Sequence, residues 1–194
     1  MENNEHINRR YALWAAILAL VALVLRFYRI DFQSLWLDEL YTMKECDPAL
    51  SWKETVHLTM EAEHKSPLFF LIEKWLFHTF GYTATVARSL CAVTGALSVY
   101  AMFLLGRELF NARTGFFAAA FTCVNTFHLF YSQEARGYMP LFLFCVLALL
   151  YFVRTLKHTR LSQAALYGLF AVCSLHFHPF GVLLLIGQGV VAAY

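Results

Sequence analysis

The feature that most constrains the fold is a series of long apolar runs separated by short charged segments. The first run is uncharged from Tyr11 to Leu25, and comparable runs fill the second half of the chain. A helix needs about 20 predominantly apolar residues to cross a membrane. Charged residues make up 14% of the chain, against about 25% in soluble domains. The sequence therefore predicts an all-α membrane protein.

We predict one polytopic domain, a bundle of six membrane-spanning helices. Their expected bounds are 11–28, 87–106, 114–131, 138–154, 162–176 and 179–194. Arg26 and Arg29 close the first run, and we expect their long side chains to extend to the membrane surface. The chain has no basic stripe of the kind that binds nucleic acid. Membrane lipids are therefore the expected surroundings, and no nucleic-acid partner is expected.

The connections between the runs differ in charge. Segments 106–113 and 154–161 are short and basic, whereas loop 31–86 is long and carries nine acidic residues against four lysines. Short loops rich in Lys and Arg stay on the cytoplasmic side of a membrane. We therefore expect a cytoplasmic N-terminus, with the long loop on the outer face. In a bacterium this is the periplasmic face of the inner membrane.

The long loop also contains an amphipathic segment at 67–80, "PLFFLIEKWLFHTF". Glu73, Lys74 and His78 mark one side of the predicted helix, and apolar residues mark the other. This segment carries too much charge to span comfortably. We predict a helix that lies in the outer membrane interface.

Two adjacent carboxylates, Asp38 and Glu39, lie in the stretch "SLWLDELYT" soon after the first run. One interpretation is a helix start, with Ser34 as N-cap and acids in the first turn. A second is a functional pair enclosed by Trp36 and Leu37, because partial desolvation makes a carboxylate a stronger base. In that case one acid acts as base while the other holds a hydroxyl or a metal ion.

A second polar segment, "YSQEARGY" at 131–138, joins two predicted spans on the same outer face. Glu134 and Arg136 in this segment form either a solvated turn or part of a site with Asp38 and Glu39. The functional interpretation is favoured because Glu134, Asp38 and Glu39 would then be three acids at one membrane surface.

Further cations lie near this surface. Arg88 comes one residue into the second predicted span, where it is either an interface anchor or a ligand for phosphate oxygens. His64 and Lys65 precede the interfacial helix, and Lys65 is equally typical of a helix start. These residues alone leave both interpretations open.

Together these motifs resemble a known family. "LWLDELYT" resembles the first outer-loop motif of C-type membrane glycosyltransferases, which include protein O-mannosyltransferases, lipid A aminoarabinose transferases and related bacterial enzymes. "HKSPLFFLIEKW", "ARSLCAVTGALSVYAMFLLGREL" and "NTFHLFYSQEARGY" are similar to later segments of the bacterial branch. Lys65-Ser66 departs from the commoner proline before Pro67, and family members are usually longer. The resemblance implies the N-terminal part of a GT-C fold.

The resemblance also implies an activity, the inverting transfer of a sugar from a polyprenyl-phosphate donor to an acceptor hydroxyl at the outer face. The acceptor is a glycan, a lipid or a protein. Asp38 is then the general base. The other residues implied in the site are Glu39, Glu134, Arg136, Arg88, His64, Lys65 and Tyr131. Asp38, Glu39 and Glu134 are also the residues that would hold a divalent cation (Mg or Mn) in members that use one, and the cationic residues would bind the donor phosphate.

Two other function classes remain open from the sequence. A transporter or flippase of lipid-linked sugars would line a pathway with charges, and an assembly subunit would need no catalytic group. The charges here gather at one face and are almost absent from the middle of the predicted spans. This distribution favours the transferase.

Overall fold

The computed structural model describes residues 2–63 and 66–193, and all regular structure in that part of the chain is helical. The α-helices are α1 (Glu2–Phe27), α2 (Leu37–Glu45), α3 (Trp52–Leu58), α4 (Leu68–Phe80), α5 (Ala84–Leu109), α6 (Ala112–Val124), α7 (Thr126–Ser132), α8 (Tyr138–His158), α9 (Leu161–Phe177) and α10 (Gly181–Ala193). A π-helical turn, Thr59–Glu63, extends α3. The predicted all-α class is confirmed.

Within the described part of the chain, three helices are long and apolar enough to cross a membrane: His6–Phe27, Ala84–Leu109 and Tyr138–His158. Three shorter apolar helices, Ala112–Val124, Leu161–Phe177 and Gly181–Ala192, accompany them. The membrane helix bundle is thus confirmed, whereas the number of spans stays a prediction.

Helix α5 lies at the centre of the bundle and packs against α1, α6 and α8. Its contact with α6 is close because two glycines face each other there. A Cβ added to Gly106 would lie 2.7 Å from the Cα of Gly115. Small residues of this kind let membrane helices approach closely. This close contact holds α5 and α6 together near the connection between Leu109 and Ala112.

The segment predicted as one span at 114–131 is two helices. Helix α6 ends at Val124, and Asn125 adopts an extended conformation with ψ near 120°. The side-chain oxygen of Asn125 accepts a hydrogen bond from the backbone N–H of His128 at 2.8 Å and so caps α7. Asparagine favours N-caps because its side chain satisfies a free backbone donor. Helix α7 therefore starts afresh and leads into the Tyr131–Tyr138 turn.

The predicted helix at 67–80 is present as α4, but the direction of its polar side was not anticipated. Glu73 and Lys74 are fully buried, whereas Trp75 and Phe80 are more than half exposed. Lys74 turns inward because its ammonium donates to the backbone oxygen of Asp47 at 2.6 Å. The outward aromatic side chains suit a helix whose apolar face contacts lipid.

Candidate functional site

Three parts of the chain meet at one end of the bundle. They are the start of α2, the start of α5 and the turn between α7 and α8, which spans residues 133–137. An apolar cluster packs against these segments. Its buried members are Met43, Cys46, Phe69, Phe70, Phe77, Ala87, Cys91, Ala135, Met139 and Phe177. The three segments are therefore held against one another by a shared core.

Helix α2 begins at the carboxylate pair. The N-cap is Trp36 rather than Ser34, and the Trp36 N–H donates to Glu39 Oε2 at 3.4 Å. Asp38 and Glu39 lie in the first turn, where negative charge favours the helix dipole. Successive residues on a helix point in different directions, so the two carboxylates have different surroundings.

Glu39 is fully buried and bound to Arg88. Arg88 Nε donates to Glu39 Oε1 at 2.8 Å, and Nη2 donates to Oε2 at 2.7 Å. The backbone N–H of Ala135 donates to the same Oε1 at 2.9 Å. One carboxylate thus joins α2, α5 and the turn at 133–137.

Arg88 has no donor left for a substrate. An arginine carries five N–H donors. Besides the two bonds to Glu39, Nη1 donates to the backbone oxygens of Ile30 and Gln33 at 2.7 and 2.9 Å. Nη2 also donates to the backbone oxygen of Ser34 at 3.4 Å. Arg88 therefore anchors the connection between α1 and α2 to α5, which argues against the expected role in phosphate binding.

Asp38 is half-buried. Its carboxylate has no hydrogen-bond partner among the described residues. Its backbone oxygen accepts from Thr42 Oγ1 at 3.2 Å and from Arg136 Nη1 at 3.4 Å. The expected enclosure by apolar side chains is not seen, because Trp36 and Leu37 are 46% and 62% exposed. Asp38 is the acid of the pair that remains available to a substrate.

The turn between α7 and α8 is fixed at several points. Gln133 Nε2 donates to the backbone oxygens of Arg26 and Tyr28, each at 3.0 Å. The Cys91 thiol donates to the backbone oxygen of Arg136 at 3.0 Å. Arg136 Nη1 also donates to Thr42 Oγ1 at 3.3 Å. The turn is therefore a rigid part of the site, in contrast to the solvated turn considered from the sequence.

Glu134 stands out in this turn because it is 6% exposed and its Oε2 has no hydrogen-bond partner among the described residues. Burial raises the pKa of Glu134 to about 7, and the nearby Glu39 carboxylate adds to this effect. Arg88 and Arg136 act in the opposite direction. A carboxyl group with a pKa near 7 can both donate and accept a proton near neutral pH.

The three acids do not fit a divalent cation site. Both oxygens of Glu39 are occupied by Arg88 and backbone N–H groups, and a guanidinium beside them repels a metal ion. Within the described ranges, no group of three His, Cys, Asp or Glu residues is arranged to hold a metal.

Two cavities adjoin at the site. A polar one of about 370 Å³ is lined by Gln33, Ser34, Trp36, Glu39, Arg88, Phe130, Tyr131, Gln133, Glu134 and Tyr138. An apolar one of about 670 Å³ lies between α6, α7 and α8, and its lining includes Phe121, Phe127 and Phe142. Tyr131 and Tyr138 line both cavities, with their ring centroids 5.3 Å apart. A ligand with a polar head and an apolar tail would pass this tyrosine pair.

A buried polar network behind the turn was not anticipated. Arg26 is fully buried rather than extended to the membrane surface. Its Nη2 contacts His128 Nδ1 at 2.9 Å, and His128 Nε2 contacts Ser98 Oγ at 2.9 Å. Arg26 Nε donates to Ser132 Oγ at 3.2 Å. The network connects α1 to α5 and α7. The sequence feature that could have indicated it is His128, a histidine inside an apolar run.

The positions of His64 and Lys65 lie outside the described residues, so their expected roles stay predictions. Of the other expected site residues, the structure brings together Asp38, Glu39, Arg88, Glu134, Arg136 and Tyr131. The contributions of Thr42, Cys91 and Gln133 were missed, because each acts through a contact with the backbone or with Arg136.

The chain was compared with known proteins. The model of the dolichyl-phosphate-mannose-protein mannosyltransferase family matches residues 64–191, about two thirds of the chain. The chain belongs to this family of membrane glycosyltransferases. The matched region contains Arg88 and the whole Tyr131–Tyr138 turn, and it begins after Asp38.

One curated relative is the dolichyl-phosphooligosaccharide-protein glycotransferase 1 of Pyrococcus horikoshii. It is 37% identical over 102 residues, which cover 48% of this chain and 10% of the relative. The chain thus spans about a tenth of that relative's length. No solved structure matches the chain.

Proposed function

We propose that the chain is the N-terminal part of a transferase that moves a sugar from a polyprenyl-phosphate carrier to an acceptor hydroxyl. The observation that carries the proposal is the pair of adjoining cavities at the tyrosine pair Tyr131–Tyr138. The apolar cavity suits a prenyl chain, and the polar cavity beside Glu134 suits a sugar phosphate. Membership of the mannosyltransferase family and the relative's name support the same donor class.

In this mechanism Asp38 is the general base. Its free carboxylate removes the proton of the acceptor hydroxyl, whose oxygen forms a bond to the anomeric carbon. The bond from that carbon to the phosphate oxygen breaks at the opposite side, so the configuration inverts. Polyprenyl phosphate leaves with the electron pair. Fixed positive charge favours this departure, because it meets the developing charge without reorganisation.

Arg136 contacts Asp38 directly, since its Nη1 donates to the Asp38 backbone oxygen at 3.4 Å. We propose that Arg136 contributes to binding the donor phosphate, with Lys65 and His64 as further candidates from the family resemblance. Glu39 is proposed as a positioning residue that acts through Arg88. Glu134 is proposed to bind a sugar or acceptor hydroxyl, since its Oε2 is buried and has no hydrogen-bond partner among the described residues.

We also propose that the site lies on the outer face of a bacterial inner membrane, with a cytoplasmic N-terminus. The supporting observation is the basic character of the opposite end of the bundle, where Arg107, Arg113 and Arg154 lie. Basic segments next to spanning helices stay in the cytoplasm.

The test begins with mass spectrometry of lipid that co-purifies with the full-length protein. A polyprenyl-phosphate sugar is expected, and its transfer to added acceptor extracts is then measured. Asp38→Asn should keep the bound lipid and lower the transfer rate by about 10²–10⁴-fold, the typical contribution of a general base. Asp47→Asn, in the same outer loop, serves as control.

Retention of full activity by Asp38→Asn, with a comparable loss in Glu134→Gln, would assign the base to Glu134 instead. Absence of any prenyl lipid in the purified protein, together with failure to bind an added one, would contradict the donor class. Lipid translocation in vesicles without glycosyl transfer would favour the flippase alternative.

A further inference from the structure

A polar pocket lies at the end of the bundle opposite the acid site. Its volume is about 510 Å³. The lining residues are Ile7, Asn8, Tyr11, Arg107, Phe110, Asn111, Ala112 and Arg113. Helix α1 begins here, and α5 runs from Arg88 at the acid site to Arg107 at this pocket. The pocket is therefore separated from the proposed reaction by the length of a spanning helix.

The charged residues that line this pocket are two arginines, Arg107 and Arg113. Glu108 lies in the last turn of α5, next to Arg107, but its carboxylate contacts α8 instead. Arg154 Nε donates to Glu108 Oε2 at 2.9 Å, and Lys157 Nζ lies 3.2 Å from Oε1. Arg107 and Arg113 form no ion pair with any carboxylate among the described side chains. Two guanidinium groups thus share one pocket, and no described carboxylate pairs with them.

The other polar groups of the pocket are suited to donate hydrogen bonds. Asn111 Oδ1 already accepts from the backbone N–H of Thr114 at 2.9 Å, which leaves its amide N–H groups for a ligand. The N-terminus of α6, a helix of 13 residues, opens at the pocket. Its free N–H groups and dipole favour negative charge. A guanidinium group can donate two parallel hydrogen bonds to the oxygens of one phosphate.

The surroundings of the pocket indicate a lipid rather than a soluble anion. Phe110 is 71% exposed at its rim, and Leu13 and Trp14 of α1 are 63% and 53% exposed one to two turns away. Helix α1 is one of the helices able to cross a membrane. Its exposed apolar side chains offer a path for acyl chains that leave the pocket along the membrane.

We propose that this pocket binds the phosphate of an anionic phospholipid, with Arg107 and Arg113 as the main ligands. The headgroup phosphate sits between the two guanidinium groups, and the acyl chains lie along α1. Basic pockets between membrane helices are known to recognise lipid headgroups in this way. The proposal does not depend on the reaction at the acid site.

The test uses the full-length protein in detergent and native mass spectrometry. Phosphatidylglycerol, phosphatidylcholine and inorganic phosphate are added in parallel. We expect a retained phosphatidylglycerol adduct, with at least fivefold lower occupancy in the Arg107→Gln/Arg113→Gln double variant. Arg9→Gln removes one positive charge from the same end of the bundle, and Arg9 is not among the residues that line this pocket. This control should keep full occupancy.

Arg107→Lys/Arg113→Lys keeps the charge and loses the guanidinium geometry. Its phosphatidylglycerol occupancy should therefore lie between that of the wild type and that of the Arg107→Gln/Arg113→Gln variant. Equal losses in Arg9→Gln and in the double variant would overturn the proposal, as would equal retention of phosphatidylcholine. An inorganic phosphate adduct that blocks phosphatidylglycerol binding would assign the site to a soluble anion. A normal melting temperature in each variant excludes misfolding as the cause.

Discussion

Arg88 and Glu39 form a bidentate ion pair, with N–O distances of 2.7 and 2.8 Å, and both side chains are almost fully buried. The pair connects the start of α5 to the start of α2. Glu39 Oε1 also accepts a hydrogen bond from the backbone N–H of Ala135. The pair therefore holds three separate segments together. This arrangement separates the two adjacent carboxylates, since Glu39 holds the three segments together and the Asp38 carboxylate takes no part in these contacts.

Removal of one partner of this pair should be strongly destabilising. Glu39→Ala leaves the Arg88 charge buried without an anion, and we expect a loss of about 3–5 kcal/mol, as for other buried pairs. Arg88→Met/Glu39→Leu should lose clearly less than the sum of the single changes. The apparent melting temperature in detergent measures this. Strictly additive losses would contradict a direct coupling between the two residues.

The sequence predicted the helical class and most of the site, but not the division of labour within it. The pattern "LDEL" shows two acids one residue apart, and helix geometry alone places them on different faces. It does not show that Arg88, 49 residues later, donates two hydrogen bonds to Glu39. Likewise, Arg26 looks like a surface anchor by position, and its partners His128 and Ser132 are about 100 residues away.

The break at Asn125 could not be separated from a continuous span by hydropathy, since Val124 and Phe127 on either side are apolar. The capping residue is the local signal, and it is weak without knowledge of tertiary contacts. The inward turn of Glu73 and Lys74 also depends on tertiary contacts. Lys74 finds the backbone oxygen of Asp47, which no periodicity argument can supply.

Glu134 should make stability depend on pH between about 4.5 and 7. Its pKa is raised to about 7 in the folded protein, so the folded state keeps a proton that the unfolded chain releases at lower pH. Folding therefore loses stability as pH rises through this window, by about 3 kcal/mol at most. Relative to the wild type, Glu134→Gln should gain melting temperature from pH 5 to 7 and then level off. A constant difference at all pH values would contradict the raised pKa.

Glu73 should destabilise the protein at neutral pH. Its side chain is fully buried, and neither carboxylate oxygen has a hydrogen-bond partner among the described residues. Burial raises the pKa of Glu73 well above its ordinary value. The folded state thus favours the protonated form, and stability falls as pH rises above the unfolded pKa. Glu73→Met should raise the melting temperature by several degrees at pH 8 and less at pH 5.

Glu54→Gln is the matched control for Glu73. Glu54 is exposed, and the backbone N–H of Ser51 donates to its Oε2 at 2.6 Å, which lowers the pKa of Glu54. Its stabilising effect is present above the unfolded pKa and is lost as pH falls through the folded one. Glu54→Gln should therefore lower the melting temperature slightly at pH 8. A gain in both variants would indicate a general charge effect rather than burial at Glu73.

The two ends of the bundle should be accessible from opposite sides of the membrane. Ala49 lies exposed between α2 and α3, and Leu161 is 86% exposed at the start of α9. Each is replaced by cysteine in a variant without the five native cysteines. Because basic segments 106–113 and 154–161 are expected in the cytoplasm, an impermeant thiol reagent should label Ala49→Cys in intact cells and Leu161→Cys only after permeabilisation. The reverse pattern would place the acid site in the cytoplasm, where an externally exposed lipid-linked sugar could not reach Asp38.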